Sequence, residues 1–418
     1  MKCFRTGALF IMLIILAALG ATAYAQDIGT PYAVVVDGDL WVYGIDDEPV
    51  MVMEGTQGGF TSVDWSADGS KLAFVRYNDD FSTSLIVVDV DDLTSPTEVV
   101  LTGRLEAGFP ISFTPDGQLL FAQTPAEFPS GDQPYQTEFY TVEPENSAEP
   151  QLVVAADFMV GCGGGSSIPA DWVYWRETGF GGNHLILEWT DEGIVYSTSC
   201  AGVGTALLNP ETGAVAELGT SLARASLSPD RTQLAGIGIT YTDTGVGGTL
   251  EIVNLATQTV EEVTTEAVPD QIAWGTDGTL FYSTRTESGN VLEDLTPEQM
   301  EAVTTGIGSE VPSLPAYTLT IHQLDPETGD DTVVYTGEGY AIGRMIALDE
   351  ETLVFSQIPN LNAWVEGLVE GTLNSLSADY TSQAEAAVAL EVFALNLSDG
   401  TTESLGTGLG QIMPHAGG

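Results

Sequence analysis

Short stretches of alternating apolar and polar residues follow one another along the whole chain, joined by turns rich in Asp and Gly. Residues 62–75, SVDWSADGSKLAFV, contain two such stretches on either side of Ser-Ala-Asp-Gly. Alternation with a period of two is typical of a β-strand that buries one face. In the turn, Asp accepts backbone hydrogen bonds and Gly supplies the positive φ that reverses the chain. The segment therefore predicts a tight β-hairpin.

The same hairpin returns further along the chain, each time with a large apolar anchor residue just before the turn. The anchors are Trp65, Phe113, Trp189, Leu227, Trp274 and Leu348. Two more apolar stretches follow each hairpin, as SLIVVDVDD and TEVVLTG follow the first. Units of four short antiparallel strands that recur at roughly 40 to 50 residues match the blades of a β-propeller.

The two ends of the chain complement each other. Residues 32–55 align with the second, third and fourth strands of a unit, whereas residues 411–415 resemble an isolated first strand. Pairing the two removes the exposed sheet edge and closes a ring. We expect an all-β fold: a seven-bladed β-propeller over residues 26–418, with the last blade closed by the N- and C-terminal strands.

The long insertions are predicted to lie on one face of the disc, opposite the Asp-Gly turns. They cover residues 157–183, 286–316 and 359–389. Short helices are expected in two of them. Thr296-Pro297-Glu298-Gln299 resembles a capping box, with Gly306 as a helix end. Apolar residues recur at helical spacing from residue 362 to residue 376, and this stripe either packs on the propeller or forms a partner-binding groove.

The repeat outline W-[ST]-x-D-G-x-x-[IL]-x-[FY], followed by a strand of the IVVDVDD type, resembles a known family. It is similar to the WD40-like (PD40) repeats of TolB-like propeller proteins and to the propeller of dipeptidyl peptidase IV-type proteins. The resemblance implies a propeller fold and leaves function open. The N-terminal domain of TolB and the hydrolase domain of the peptidases are both expected to be missing. The chain contains no Gly-x-Ser-x-Gly nucleophile elbow.

The first 25 residues are expected to be a cleaved signal peptide. Lys2 and Arg5 precede an apolar run over residues 8–19, and Ala23-Tyr24-Ala25 offers small residues for cleavage. We expect a product outside the cytoplasm, periplasmic or secreted, with no membrane span.

The chain is strongly acidic, with 60 Asp and Glu against 10 Lys and Arg and a formal net charge of −50. Such a surface repels nucleic-acid phosphates. Solubility in a saline medium and a dedicated divalent-cation site are alternative explanations. Acidic clusters such as YNDD could hold Ca²⁺ but coincide with predicted turns, so we expect no cofactor. A monomer without nucleic-acid partners is expected.

The two cysteines after the signal, Cys162 and Cys200, are predicted to form a disulfide in an oxidising compartment. The three histidines His184, His322 and His415 fall in separate blades without the spacing of a metal pair, so no metal site and no catalytic residue is assigned.

Candidate binding residues are expected on the insertion side of the disc: His184, Arg224, Glu188, Trp172, Trp175 and Trp364. Arg224 and Glu188 are interpreted either as an ion pair between adjacent blades or, for Arg224, as an anion contact in the channel. The sequence favours a non-catalytic module that binds a protein, peptide or glycan partner. The alternative is a small propeller enzyme, a lyase, lactonase or hydrolase acting at the channel mouth.

Overall fold

The computed structural model describes residues 31–36, 38–45, 48–56, 60–78, 82–101, 103, 105, 110–123, 136–144, 149–157, 168–177, 186–198, 204–219, 222–242, 245–265, 267–308, 313–407 and 409–414. These residues form seven antiparallel sheets of four strands each. The prediction of a seven-bladed β-propeller is confirmed. Blade one is the blade that contains both ends of the chain.

The strands of the first four blades, named in each blade from the axis outward, have the following bounds. They are β28 (Leu409–Pro414), β1 (Tyr32–Val36), β2 (Asp39–Tyr43) and β3 (Val50–Met53) in blade one; β4 (Phe60–Trp65), β5 (Lys71–Tyr77), β6 (Thr83–Asp89) and β7 (Asp92–Val99) in blade two; β8 (Ile111–Phe113), β9 (Leu119–Gln123), β10 (Gln136–Val142) and β11 (Gln151–Asp157) in blade three; and β12 (Leu187–Thr190), β13 (Gly193–Ser197), β14 (Thr205–Leu208) and β15 (Val215–Leu218) in blade four.

The last three blades follow the same order. Their strands are β16 (Leu222–Leu227), β17 (Gln233–Thr242), β18 (Gly245–Asn254) and β19 (Thr259–Val263) in blade five; β20 (Pro269–Trp274), β21 (Leu280–Asn290), β22 (Pro315–Leu324) and β23 (Asp331–Gly339) in blade six; and β24 (Ala341–Ala347), β25 (Thr352–Ile358), β26 (Glu391–Asn396) and β27 (Thr402–Thr407) in blade seven.

Blade one closes the ring as the sequence predicts. Strand β28 pairs antiparallel with β1, so that Met413 lies opposite Ala33. The indole Nε1 of Trp65 in blade two donates a hydrogen bond of 2.8 Å to the Met413 carbonyl. An equivalent bond of 2.9 Å joins Trp274 in blade six to the Ser226 carbonyl in blade five. The anchor tryptophans therefore fill the space between blades and also tie neighbouring inner strands together.

The tight turns between the first and second strands share one construction. In blade two, Asp68 Oδ1 accepts bonds from the Ser66 hydroxyl and the Ser70 amide, and Gly69 adopts φ 68°. Arg231 takes the glycine position in blade five and adopts φ 60°, a conformation that is strained for a residue with a Cβ. These turns define the turn face of the disc, and the other face is called the insertion face.

Helices interrupt the strand pattern on the insertion face. They are α1 (Pro169–Glu177) between β11 and β12, α2 (Pro297–Ile307) between β21 and β22, and α3 (Asn362–Glu370) and α4 (Tyr380–Ala387) between β25 and β26. Because β21 continues to Asn290 and β22 begins at Pro315, the insertion of blade six is shorter than residues 286–316. The capping box at Thr296 is confirmed by both of its hydrogen bonds.

Two helix boundaries differ from the sequence expectation. Helix α2 passes through Gly306 and ends before Gly308, which adopts φ 78°. Gly306 is instead a packing position, because a Cβ there would lie 2.7 Å from Leu368 Cδ2. Helix α3 ends before Gly371, so the apolar stripe leaves the helix at that residue.

The insertions of blades four, six and seven share one hydrophobic core, here called the helical cap. Buried members from the helices include Val173, Val303, Trp364, Leu368 and Ala384, and Ala341 and Ile358 join them from the strands of blade seven. The interpretation that the stripe of residues 362–376 packs on the propeller is confirmed for its helical part. Leu376, at its end, is 90% exposed.

Candidate functional site

The inner strands carry a chain of charged side chains near the insertion face. Arg224 in β16 donates from Nη1 to both the backbone carbonyl and the carboxylate of Asp270 in β20. Arg285 in β21 places its Nε 3.6 Å from the second carboxylate oxygen of Asp270. Asp270 is only 6% exposed, and a buried carboxyl group is unfavourable unless cationic partners such as these two arginines lie beside it.

Local backbone irregularities put these residues in place. The register of β16 shifts between Ala223 and Ser226, and Arg224 within this bulge adopts φ 54°. A second bulge in β20 contains Asp270. Bulges re-aim side chains at strand ends, and a non-glycine residue at positive φ is a strained conformation that is enriched at functional sites. The bulges thus let two adjacent inner strands direct opposite charges at each other.

Aromatic side chains extend this chain toward the helical cap. The Arg285 guanidinium lies 5.2 Å from the ring centre of Tyr317, which packs edge-on against Tyr340. The Tyr340 hydroxyl donates a hydrogen bond of 2.6 Å to Asp171 in α1. Burial, together with the Asp171 carboxylate, raises the pKa of Tyr340, which therefore stays a hydrogen-bond donor.

The ion pairs differ from the predicted pairing of Arg224 with Glu188. Arg224 pairs with Asp270 of blade six, whereas Glu188 pairs with Arg231 at 2.8 Å. Arg231 also donates to the carbonyl of Trp189. An ion pair between blades four and five does exist, but its cation comes from the turn after β16 instead of from the strand.

A second polar cluster lies on the inner strands toward the turn face. Asp64 and Glu188 each precede their anchor tryptophan, and Asp64 accepts a hydrogen bond of 2.8 Å from the Phe113 amide. Burial, and after it the charge of Glu188, raise the pKa of Asp64 from 3.8 to about 8 despite the nearby Arg231. Burial also raises the pKa of Glu188. Burial at this cluster therefore favours the protonated, neutral form of its carboxyl groups.

His322 belongs to a third polar group, between blades five and six at the outer strands. Its Nδ1 lies 3.1 Å from Asp331, which also accepts a hydrogen bond from the Tyr282 hydroxyl. Tyr282 stacks on the imidazole at 4.5 Å between ring centres. A pocket of about 320 Å³ adjoins His322 and Asp331 and is further lined by Thr264, Thr265 and Val333.

The structure places two of the three predicted tryptophans, Trp172 and Trp364, in or beside the helical cap. Trp364 is fully buried and packs within the cap core, so its role is packing. Trp172 in α1 packs edge-on against Tyr380 at 6.3 Å. The side chain of Trp175 lies outside the described residues, as do His184, His415, Cys162 and Cys200.

Helix α1 lies in the insertion of residues 157–183, where the sequence analysis expected no helix. Pro169 at the first helical position and Asp171 in the first turn are ordinary helix-start signals that could have revealed it.

The described residues contain neither a metal-binding cluster nor a membrane-spanning helix. In this part of the chain, no three His, Cys, Asp or Glu side chains come together in a way that could hold a metal ion. None of the helices found there is both long and apolar enough to cross a bilayer.

Asp270, Arg285, Asp64 and Arg231 were missed by sequence reasoning. Arg231 alone had a clear signal, since it replaces the Gly of the repeated turn in SPDR. Asp270 and Arg224 lie 46 residues apart in the chain, and only the packing of blades five and six brings them together.

Known structures share the propeller architecture with this chain. TolB from Acinetobacter baumannii is 12% identical with a TM-score of 0.44, and the match covers 95% of this chain and 68% of that one. An oligogalacturonate lyase in complex with manganese is 10% identical with a TM-score of 0.48, over 76% of this chain and 79% of the lyase.

The acylaminoacyl peptidase from Pyrococcus horikoshii is 13% identical with a TM-score of 0.51, over 88% of this chain and 48% of the peptidase. No protein-family model and no curated protein sequence matches the chain. At these identities the likeness concerns the fold.

Proposed function

We propose that the protein is an exported, non-catalytic β-propeller that binds a protein, peptide or glycan partner through its insertion face. The repeat outline, the propeller fold and the likeness to TolB support a place among TolB-like propellers. The N-terminal segment 1–25 acts in this proposal as a signal peptide that directs the protein to the periplasm or the medium. Cys162 and Cys200 form a disulfide there.

The helical cap is the observation that carries this proposal. Three separate insertions, all on one face, combine their apolar residues into a single core beside the Arg224–Asp270–Arg285 chain. Insertions that grow on one side of a rigid scaffold are the usual place of recognition. The turn face offers only short turns in the parts that the structure describes, for example at residues 66–70 and 275–279.

A point substitution at an exposed residue of the helical cap tests the proposal without unfolding the protein. Leu376 is 90% exposed, so Leu376→Arg should remove partner capture from the native extracytoplasmic fraction while the melting temperature stays unchanged. The matched control is Val260→Arg, at an exposed apolar residue of β19 next to the turn face. Retained capture of the same partner by Leu376→Arg, or equal loss in both variants, contradicts binding through the cap.

The second candidate function is catalysis at the axial channel, and the Asp64–Glu188 pair favours it. A carboxyl group whose pKa is raised, next to a second carboxyl group, can serve as a proton donor or acceptor. A lactonase, lyase or hydrolase activity found by substrate screening should fall at least about a hundredfold in Asp64→Asn and Glu188→Gln, in line with typical general acid–base contributions. Activity that survives both substitutions excludes this pair as the catalytic one.

A further inference from the structure

His322 stands at a repeat position where two other blades have an aromatic hydrocarbon or phenol ring. In blades three, six and seven, the register of the third and fourth strands shifts at the same place. The third-strand residue directly after the shift stacks on an aromatic ring of the second strand in all three blades. The stacked pairs are Phe121–Tyr140, Tyr282–His322 and Phe355–Phe393. Blade six therefore keeps the stacking geometry but places an imidazole in it.

Packing alone does not account for the imidazole. His322 is only 6% exposed, and a polar ring buried where an apolar ring fits is unfavourable unless its nitrogen atoms find partners. Its Nδ1 lies 3.1 Å from Asp331. The Asp331 side chain is 24% exposed and also accepts a hydrogen bond from the Tyr282 hydroxyl, so solvent and Tyr282 already satisfy it. The second ring nitrogen of His322 then needs its own explanation.

The contact with Asp331 fixes the role of that second nitrogen. A carboxylate accepts hydrogen bonds and donates none, so Nδ1 of His322 is the donor, and Nε2 of the neutral ring is an acceptor. Among the described residues, Nε2 has no hydrogen-bond partner, and it is not one of the buried polar atoms that lack one. Nε2 is therefore open to the pocket that His322 lines.

The lining of this pocket favours a neutral ligand rich in hydroxyl groups. Besides His322 and Asp331, the space of about 320 Å³ is lined by the hydroxyl-bearing Thr264 and Thr265 and by Val333, which is 55% exposed. Neither Lys nor Arg lines it, and the chain carries a net charge of −50, so an anionic ligand is disfavoured. Nitrogen and oxygen acceptors suit hydroxyl donors, and the Val333 methyl groups suit the C–H groups of a sugar ring.

We propose that the pocket between blades five and six binds a sugar of about one ring in size. Nε2 of His322 accepts a hydrogen bond from one sugar hydroxyl group, and the Thr264 hydroxyl makes a second. The volume lies at the lower end of the range for small-molecule sites. None of the buried residues of the helical cap core lines this pocket, so it is a site in addition to the binding function proposed for the insertion face.

Four monosaccharides serve as probes: D-glucose, D-galactose, D-mannose and N-acetyl-D-glucosamine. The control is a glucoside with every hydroxyl group methylated, because it keeps the ring and loses all hydroxyl donors. NMR titration to about 50 mM covers the millimolar Kd expected of a ligand of this size. At least one of the four sugars should saturably shift the imidazole resonances of His322 and the amide resonances of Thr264 and Val333. The methylated glucoside should shift none of them.

Three variants assign the binding to these side chains. His322→Phe restores the aromatic ring of blades three and seven, so it should melt no lower than wild type while the Kd for the sugar rises at least about tenfold. Thr264→Val removes one hydroxyl group at nearly constant shape and should raise the Kd about threefold or more. Thr332→Val is the matched control with unchanged Kd, because Asp331 and Val333 line the pocket and the side chain between them points to the other face of β23.

The proposal is overturned if none of the four sugars gives a saturable shift, if the methylated glucoside binds equally well, or if His322→Phe keeps the wild-type Kd. Should His322→Phe fold poorly, the Kd values of Thr264→Val and Thr332→Val decide, and equal values overturn the proposal. Partner capture by wild type and by Leu376→Arg is measured independently. Failure of the sugar site therefore leaves the function proposed for the insertion face standing.

Discussion

The hydrogen bond from Trp65 to Met413 provides a direct test of ring closure. Replacing Trp65 by Phe keeps an aromatic ring and removes the N–H that binds the Met413 carbonyl at 2.8 Å. Trp274→Phe removes the equivalent bond of 2.9 Å to Ser226. The two tryptophans are both 8% exposed, so the local chemical change is the same.

The expected loss of stability follows from the bond and the smaller ring. A neutral hydrogen bond contributes about 1 kcal/mol net, and its loss leaves a poorly solvated carbonyl. The smaller ring adds a modest packing loss, so we expect about 2 kcal/mol for each variant.

The two variants should differ in where the structure opens. Ser226 lies within the continuous blade five, whereas Met413 lies in β28, whose only sheet partner among the described strands is β1. Because Trp65 links β28 to blade two, Trp65→Phe should let the terminal strand open before the rest unfolds.

Unfolding in guanidinium chloride measures the loss of global stability, and hydrogen exchange with mass spectrometry measures the local opening of the terminal strand. We expect similar losses of global stability, and faster exchange in residues 409–414 and 32–36 for Trp65→Phe alone. If exchange in these segments equals that of Trp274→Phe, or if Trp65→Phe is as stable as wild type, closure does not depend on this bond.

Two further predictions concern ionisable groups. Because the pKa of Asp64 is raised from 3.8 to about 8, the folded state holds a proton that the unfolded chain releases, and stability falls as pH rises from about 4 to 8. Asp64→Asn should therefore be more stabilising, relative to wild type, at pH 8 than at pH 5. Asp68→Asn is the contrasting control, because turn hydrogen bonds lower the pKa of Asp68 to about 2. The contribution of Asp68 to stability is therefore lost only as pH falls toward that value. Equal shifts in melting temperature for Asp64→Asn at pH 5 and at pH 8 would refute the prediction for Asp64. Arg231→Gly relieves the strain of the positive φ, worth about 1 kcal/mol, but leaves Glu188 without its cation. We therefore expect the free energy of unfolding to fall by about 1 kcal/mol in Arg231→Gly. Adding Glu188→Gln should restore this loss. A double variant that is no more stable than Arg231→Gly, in denaturant titration, would show that the ion pair is not the cause.

The candidate site could be predicted from the sequence only in part. Arg224 and Glu188 were identified as inner-strand charges, yet their partners were not, because the pairing depends on which neighbouring blade each side chain faces. The bulges in β16 and β20 decide that direction, and a bulge leaves no fixed pattern of residue types. The fully buried Trp364 shows the same limit, since helical spacing identifies an apolar face but not what covers it.

The sequence by itself determined the blades, their turns and the closure of the ring, because each depends on residues that are close in the chain or on the complementarity of its two ends. Alternation of apolar residues fixes a strand locally, and Asp-Gly fixes its turn. Only the tertiary structure decided which charges meet and that three insertions share one core. The physical reason is that these contacts join residues from different blades, whose approach is set by the packing of whole sheets.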